Sequence, residues 1–280
     1  MNKIVKEFSN LRLKPGEGAF CRLCQHSFIL KLGTTVIYVD PFLSAHPARL
    51  YPSPVAAEEV VNADAVCGTH DHGDHIDRPM WPILAKTSPK AKFVLPEAVR
   101  RADPPLKGAA GRRQVGLNAG ESVTIGEVKI TAVPAAHELL DYNPKTGLYP
   151  YLGYIFEGNG LTVYHSGDCC RYEEQVKILS QWKLDLALLP INGRDAWRLT
   201  HDCIGCMTYQ EAADLAGLLE PRLTVPAHYD MFANNQADPW LFTEYMRVKY
   251  PRLATQVAKP GEIYRMRGLR SMAPTAAQGN

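Results

Sequence analysis

The run Thr69-His70-Asp71-His72-Gly73-Asp74-His75-Ile76-Asp77 places three histidines and Asp74 within six residues. Neutral imidazole nitrogen and carboxylate oxygen are ligand atoms that zinc, manganese and iron accept, so the run reads as a metal site. Its spacing also constrains the backbone. Neighbours on one helical face lie three or four residues apart, so His70 and His72 cannot share such a face and must stand on a turn or a strand end. The preceding Asp64-Ala-Val-Cys-Gly68 is a short apolar run closed by glycine and predicts a buried strand. The histidines therefore emerge from the carboxyl end of a strand, and Asp74-His75 turns back onto the same centre.

Four more segments end an apolar, β-branched run with histidine or aspartate: Thr35-Val-Ile-Tyr-Val-Asp40, Ile130-Thr-Ala-Val-Pro-Ala-Ala-His137, Leu161-Thr-Val-Tyr-His-Ser-Gly-Asp168 and Leu223-Thr-Val-Pro-Ala-His228. Taken singly, each has an ordinary explanation. A histidine after a strand is commonly a hydrogen-bonded or surface residue, and an aspartate beside glycine is a turn former. Their joint occurrence is what points to a site.

In this order the segments resemble the metallo-β-lactamase superfamily. The resemblance implies an α/β fold in four layers, an αββα sandwich, with one or two metals at the edge of the two sheets. It implies that His70, His72 and His137 hold one metal and that Asp74, His75 and His228 hold the second, with Asp168 bridging them. Asp40 is similar to an early aspartate of the family that orients a ligand histidine. Such carboxylates fix the tautomer and ring orientation of metal-bound imidazole. The second half, from Tyr164-His-Ser-Gly-Asp168 through Leu184–Asp195 to Val225–Phe232 and Asn235–Pro239, resembles the branch typified by L-ascorbate-6-phosphate lactonase.

That branch implies a hydrolase acting on a lactone of a phosphorylated sugar acid. Water made acidic by the metals would attack the ring carbonyl, with no serine or cysteine nucleophile. Asp74 is the candidate to steer that water and shuttle a proton. Asn192, Arg194, Arg198, Tyr229 and Asn235, with Asn234, are the candidates for substrate binding, the guanidinium fork of Arg194 or Arg198 suiting a phosphate. The plain alternative is that Arg194 pairs with a nearby carboxylate such as Asp195. The loop from Trp197 to Cys206 is expected to set specificity. Two other readings stay open: a phosphodiesterase or nuclease, since two metals suit attack on phosphorus equally well, and a non-hydrolytic iron redox or ligand-sensing protein. Mixed nitrogen and oxygen donors accept zinc, manganese or iron.

Ligands spread from His70 to His228 must converge, which favours one domain over residues 1–265 of the 280, with 266–280 as a flexible tail. A net charge of +2 with scattered basic residues gives no nucleic-acid groove. No apolar stretch approaches a membrane span or a signal-peptide core, so a cytoplasmic enzyme with a small-molecule substrate is expected. Assembly into a homo-oligomer is left open. Seven cysteines include the pairs Cys21/Cys24 and Cys203/Cys206. A structural zinc across these distant pairs is the minor reading, because a free cysteine is first a small buried hydrophobe. Cys169 and Cys170 beside Asp168 are expected to pack, with metal ligation the minor alternative. Helices are predicted at Val55–Asn62, Glu173–Gln181 and Pro239–Tyr250, and after a capping box formed by Thr208 and Glu211 that opens an apolar run ending before Pro221.

Overall fold

The computed structural model describes residues 2–268. Fourteen strands run in chain order as β1 Glu17–Cys24, β2 Ser27–Leu32, β3 Thr35–Val39, β4 Ala65–Cys67, β5 Lys92–Pro96, β6 Gln114–Leu117, β7 Ser122–Ile125, β8 Val128–Pro134, β9 Leu152–Gly158, β10 Leu161–His165, β11 Leu186–Pro190, β12 Leu223–Ala227, β13 Ala254–Thr255 and β14 Ile263–Arg267. They form two seven-stranded sheets, ordered β14-β1-β2-β3-β4-β5-β6 and β13-β12-β11-β10-β9-β8-β7. Each sheet starts from antiparallel hairpins and continues in parallel, from β3 to β6 in the first and from β10 to β13 in the second.

Strands covered on both faces lose the alternation of a half-exposed sheet, which is why β1, β2 and β3 read as nearly continuous apolar runs. Phe20, Leu30, Ile37 and Val39 face Ile130, Tyr154, Val163 and Leu188 of the other sheet across the central core. Ala19, Cys21, Ile29 and Tyr38 point the opposite way, onto the helices Lys3–Asn10 (α1) and Trp81–Thr87 (α2) through Val5, Phe8, Trp81 and Leu84. On the second sheet Ile155, Ala187 and Leu189 carry the helices Tyr209–Leu219 and Pro239–Lys249 through Leu215, Ala216, Phe242 and Met246. The order is helix, sheet, sheet, helix, the αββα arrangement expected from the sequence.

The capping box forms: Thr208 Oγ1 accepts from the Glu211 amide at 3.2 Å while Glu211 accepts from the Thr208 amide at 2.8 Å. Glu220 then ends the helix in a left-handed conformation ahead of Pro221. Thr208→Ala is expected to cost about 1 kcal/mol, measurable as a lower urea midpoint at unchanged slope. The helix expected over Val55–Asn62 is only a single 3-10 turn, Ala57–Glu59. Val55 and Val60 are buried in the outer core without helical spacing, and Pro52 and Pro54 precede the segment. The helix expected over Glu173–Gln181 is shorter, Gln175–Leu179. Of the tail expected over residues 266–280, Met266 and Arg267 instead pair, in β14, with Gly18 and Glu17 of β1; residues 269–280 lie outside those described. No helix among the described residues is long and apolar enough to cross a membrane.

Candidate metal centre

The carboxyl ends of β3, β4, β10 and β12 lie at one edge of the sandwich, the position where parallel strands present ligand-binding loops. β3 delivers Asp40 and β12 delivers His228, and both take a left-handed backbone, φ 47° and 57°, that is uncommon for residues other than glycine. Such strain persists only where the surroundings hold it, and here they do. Asp40 accepts from the Thr69 amide at 2.7 Å and the Thr69 hydroxyl at 2.8 Å. The His228 amide donates to the Gln25 carbonyl at 2.9 Å. Beyond β4 the amides of His75 and Ile76 both donate to the His72 carbonyl, and this tight turn brings Asp74 and His75 back beside His70.

The side chains converge in two corners. His70 Nε2 lies 3.0 Å from His72 Nδ1, and one ligand atom from each of His70, His72 and His137 falls within 4.8 Å of the others. Asp74, His75 and His228 form a second such group. Asp168 stands between them. Its Oδ2 is 3.0 Å from His228 Nε2 and 3.7 Å from His137 Nε2, while Oδ1 is 3.3 Å from His75 Nε2. Asp40 Oδ2 lies 2.7 Å from His75 Nδ1, which turns the other ring nitrogen, Nε2, toward Asp168.

Electrostatics divide the corners. Burial pushes His70 well below its ordinary pKa and His137 down to about 4, so these rings are neutral and hold lone pairs. Burial also opposes charge on His228, but Asp168 and Asp74 outweigh it and raise that ring to about 9. His75 is raised in the same way by Asp168, Asp74 and Asp40. Although burial disfavours its charge, Asp168 is held well below the usual carboxylate range by His228 and His75. Two buried carboxylates, Asp40 and Asp168, and the part-buried Asp74 thus demand positive charge, which is why His75 and His228 are raised. His75 Nε2, His137 Nε2 and Asp168 Oδ1 are buried without a hydrogen-bond partner, as atoms awaiting a cation would be. The donor set fits divalent ions in both corners.

A family model for the beta-lactamase superfamily domain matches residues 35–229, which spans this whole centre. The chain belongs to the β-lactamase superfamily of metal-dependent hydrolases. It is 33% identical over 244 residues to a UPF0173 metal-dependent hydrolase of Thermococcus onnurineus, covering 86% of this chain and 97% of that protein. Among solved structures, Igni18, a metallo hydrolase from Ignicoccus hospitalis, superposes with a TM-score of 0.69 at 24% identity over 89% of this chain and 98% of that one. CmlA, a diiron β-hydroxylase from Streptomyces venezuelae, shares the fold with a TM-score of 0.64 at 14% identity, over 91% of this chain and 55% of that one.

The hydrolase opens its metal centre into a cleft of about 370 Å³. Its walls include His72, Asp74, His137, Asp168 and His228, then His46, His201, Ile204, Phe232, Asn234 and Asn235. Several residues read as substrate contacts lie elsewhere. Arg194 binds Glu211 at 2.8 Å and the Cys206 carbonyl at 3.0 Å. Arg198 braces its loop on the carbonyls of Asn192, Asn234 and Gln236. Tyr229 lies under the Arg22 guanidinium, 4.8 Å from ring centroid to Cζ, and packs in the outer core. Asn192 is buried behind Asn235, donating to its Oδ1 at 2.9 Å. Of the six candidates, Asn234 and Asn235 line the cleft. Part of the Trp197–Cys206 loop does line it, through His201, Asp202, Cys203 and Ile204.

The sequence reading passed over His26. This buried ring places Nδ1 3.6 Å from Asp168 Oδ1 and stacks on His165 at 4.0 Å between centroids. Burial pushes it down to about 4. His26 follows the apolar run of β1, the same strand-then-histidine signal that marked the other segments. Tyr151 was missed as well, and its ring stands 5.0 Å from that of His137. Cys21 and Cys24 are absorbed by apolar clusters, far from joining Cys203 and Cys206 on one ion.

Proposed function

We propose that this hydrolase binds two divalent metal ions and opens a small, unphosphorylated carboxylic ester such as a lactone. His70, His72 and His137 would hold one ion, Asp74, His75 and His228 the other, with Asp168 between. When bound, the ions supply an activated water and polarise the carbonyl attacked. Asp74 is the least buried of the carboxylates in the centre and lines the cleft, within 3.5 Å of His228 Nε2. It is placed to take the proton of the attacking water and pass it to the departing ring oxygen. Asp40 keeps His75 in one tautomer and orientation throughout. Asn235, His46 and His201 line the cleft and would offer hydrogen bonds to substrate oxygens, with Phe232 and Ile204 adding apolar wall.

The observation that carries the substrate class is the absence of lysine and arginine from the cleft wall among the described residues. Beyond the metals themselves, a phosphate ester or a nucleic-acid backbone gains from cationic side chains, and the arginines best placed in the sequence are committed to protein carbonyls and Glu211. The test is a panel of L-ascorbate 6-phosphate, simple neutral lactones and a nitrophenyl phosphodiester, each with a chelator control. Chelator-sensitive turnover of the neutral lactones, exceeding that of both phosphorylated substrates, is expected. Preference for the diester would move the protein to the phosphodiesterases. Arg194→Ala is expected to change kcat/KM for phosphorylated and neutral lactones alike; a loss confined to the phosphorylated one would return this arginine to the substrate site.

A further inference from the structure

Cys206 is fully buried, yet it belongs to no apolar cluster, although its neighbour Met207 sits in the outer core. Its surroundings are ligand atoms instead. The Cys206 thiol, an Asp168 oxygen and a His228 nitrogen lie within 4.8 Å of one another. A small hydrophobe placed for packing would not face a buried carboxylate and an imidazole.

The backbone around it is fixed. Gly193 donates to the Met207 carbonyl at 3.0 Å and Met207 donates to the Cys169 carbonyl at 3.1 Å, strapping the segment between the loop after β11 and the residues following Asp168. The Cys206 carbonyl accepts from Arg194. Gly205 lies so close to Gly193 that a Cβ on it would run into the Gly193 carbonyl oxygen, a contact that only glycine permits. Arg194, the Gly205 contact and the cap at Thr208 therefore share one result, which is to hold Cys206 against the centre. Asp168 Oδ1 is buried without a hydrogen bond, its nearest polar neighbour being His75 Nε2 at 3.3 Å, which marks the same corner as one that expects a cation.

We propose that Cys206 is a further metal-ligating residue at the His228–Asp168 corner and biases the centre toward thiophilic ions, zinc or iron(II), over manganese. Soft thiolate favours such ions, whereas an all-carboxylate and imidazole set accepts manganese readily. Ligation replaces the S–H bond by a sulfur–metal bond and releases the thiol proton to solvent, so no oxidant or reductant is needed. The proposal rests on the metal-dependent reading above.

The experiment is cobalt(II) loading of the metal-free full-length protein, followed by absorption spectroscopy. Wild type is expected to show both visible ligand-field bands and a near-ultraviolet thiolate-to-cobalt charge-transfer band, and Cys206→Ser to keep the visible bands while losing the charge-transfer band. Cobalt uptake by wild type without a thiolate band overturns the proposal and leaves the metal reading intact. A band that persists in Cys206→Ser also overturns it, since one of the other thiols would then be the ligand. Failure to bind cobalt at all removes both. Should the serine variant not fold, sulfur scattering at the zinc absorption edge of the zinc-loaded wild type is expected, and its absence refutes ligation.

Discussion

Asp168→Ala is expected to lose at least one metal ion and to lower kcat/KM by more than about a hundredfold, beyond the 10–100-fold range for partners that only support a ligand. Asp168 reaches both corners, with His137 on one side and His75 and His228 on the other. Removing it also takes away the largest attraction that His75 and His228 feel, so two buried rings that favour charge lose their main counterion. Metal content by mass spectrometry together with steady-state kinetics checks the result. A variant that keeps both its metal and its turnover would show that Asp168 is not the bridge.

The next largest effect is expected far from the chemistry. Arg22→Leu should destabilise the fold by about 3 kcal/mol, the low end of the range for breaking a buried ion pair by deleting one partner, because Asp230 is only partly buried. Arg22 is almost wholly buried, meets both Asp230 oxygens at 2.9 and 2.8 Å, and donates Nε to the Ala258 carbonyl at 2.8 Å. Leucine would leave that carboxylate and carbonyl without their donor while removing the cation stacked on Tyr229. The same pair ties β1 to the turn just past His228, so looser metal retention should accompany the lower stability. Denaturant unfolding with equilibrium metal competition reads both. A change under about 1 kcal/mol would mean that the pair contributes no more than a surface bridge.

The convergence of these side chains was legible because each cluster follows a strand, and strand periodicity is local. His70, His72, Asp74, His75, His137, Asp168 and His228 sit where their apolar runs stop, and the fold brings those ends to one edge. The four layers were readable for the same reason, since doubly covered strands write continuous apolar runs. What failed depended on long-range packing. Nothing local distinguishes a guanidinium that meets a ligand from one that ties down carbonyls, and Arg198 proves to be the second kind. Tyr229 follows a ligand histidine in sequence, but alternation sends it away from the centre, toward Arg22. The Val55–Asn62 segment carries apolar residues that reach the outer core from an irregular chain, so its composition resembled a helix that the prolines before it do not start. Cys206 was visible only as half of a Cys-x-x-Cys pair, and its neighbours Asp168 and His228 are distant in the chain.

The most direct test of the central claim is the number of metal ions bound per chain in the purified full-length protein, taken by mass spectrometry and paired with lactone hydrolysis before and after chelation. Two ions per chain, with activity that falls on chelation and returns on reloading, is the predicted result. A protein that hydrolyses the lactone at full rate after its metal has been removed would contradict the account.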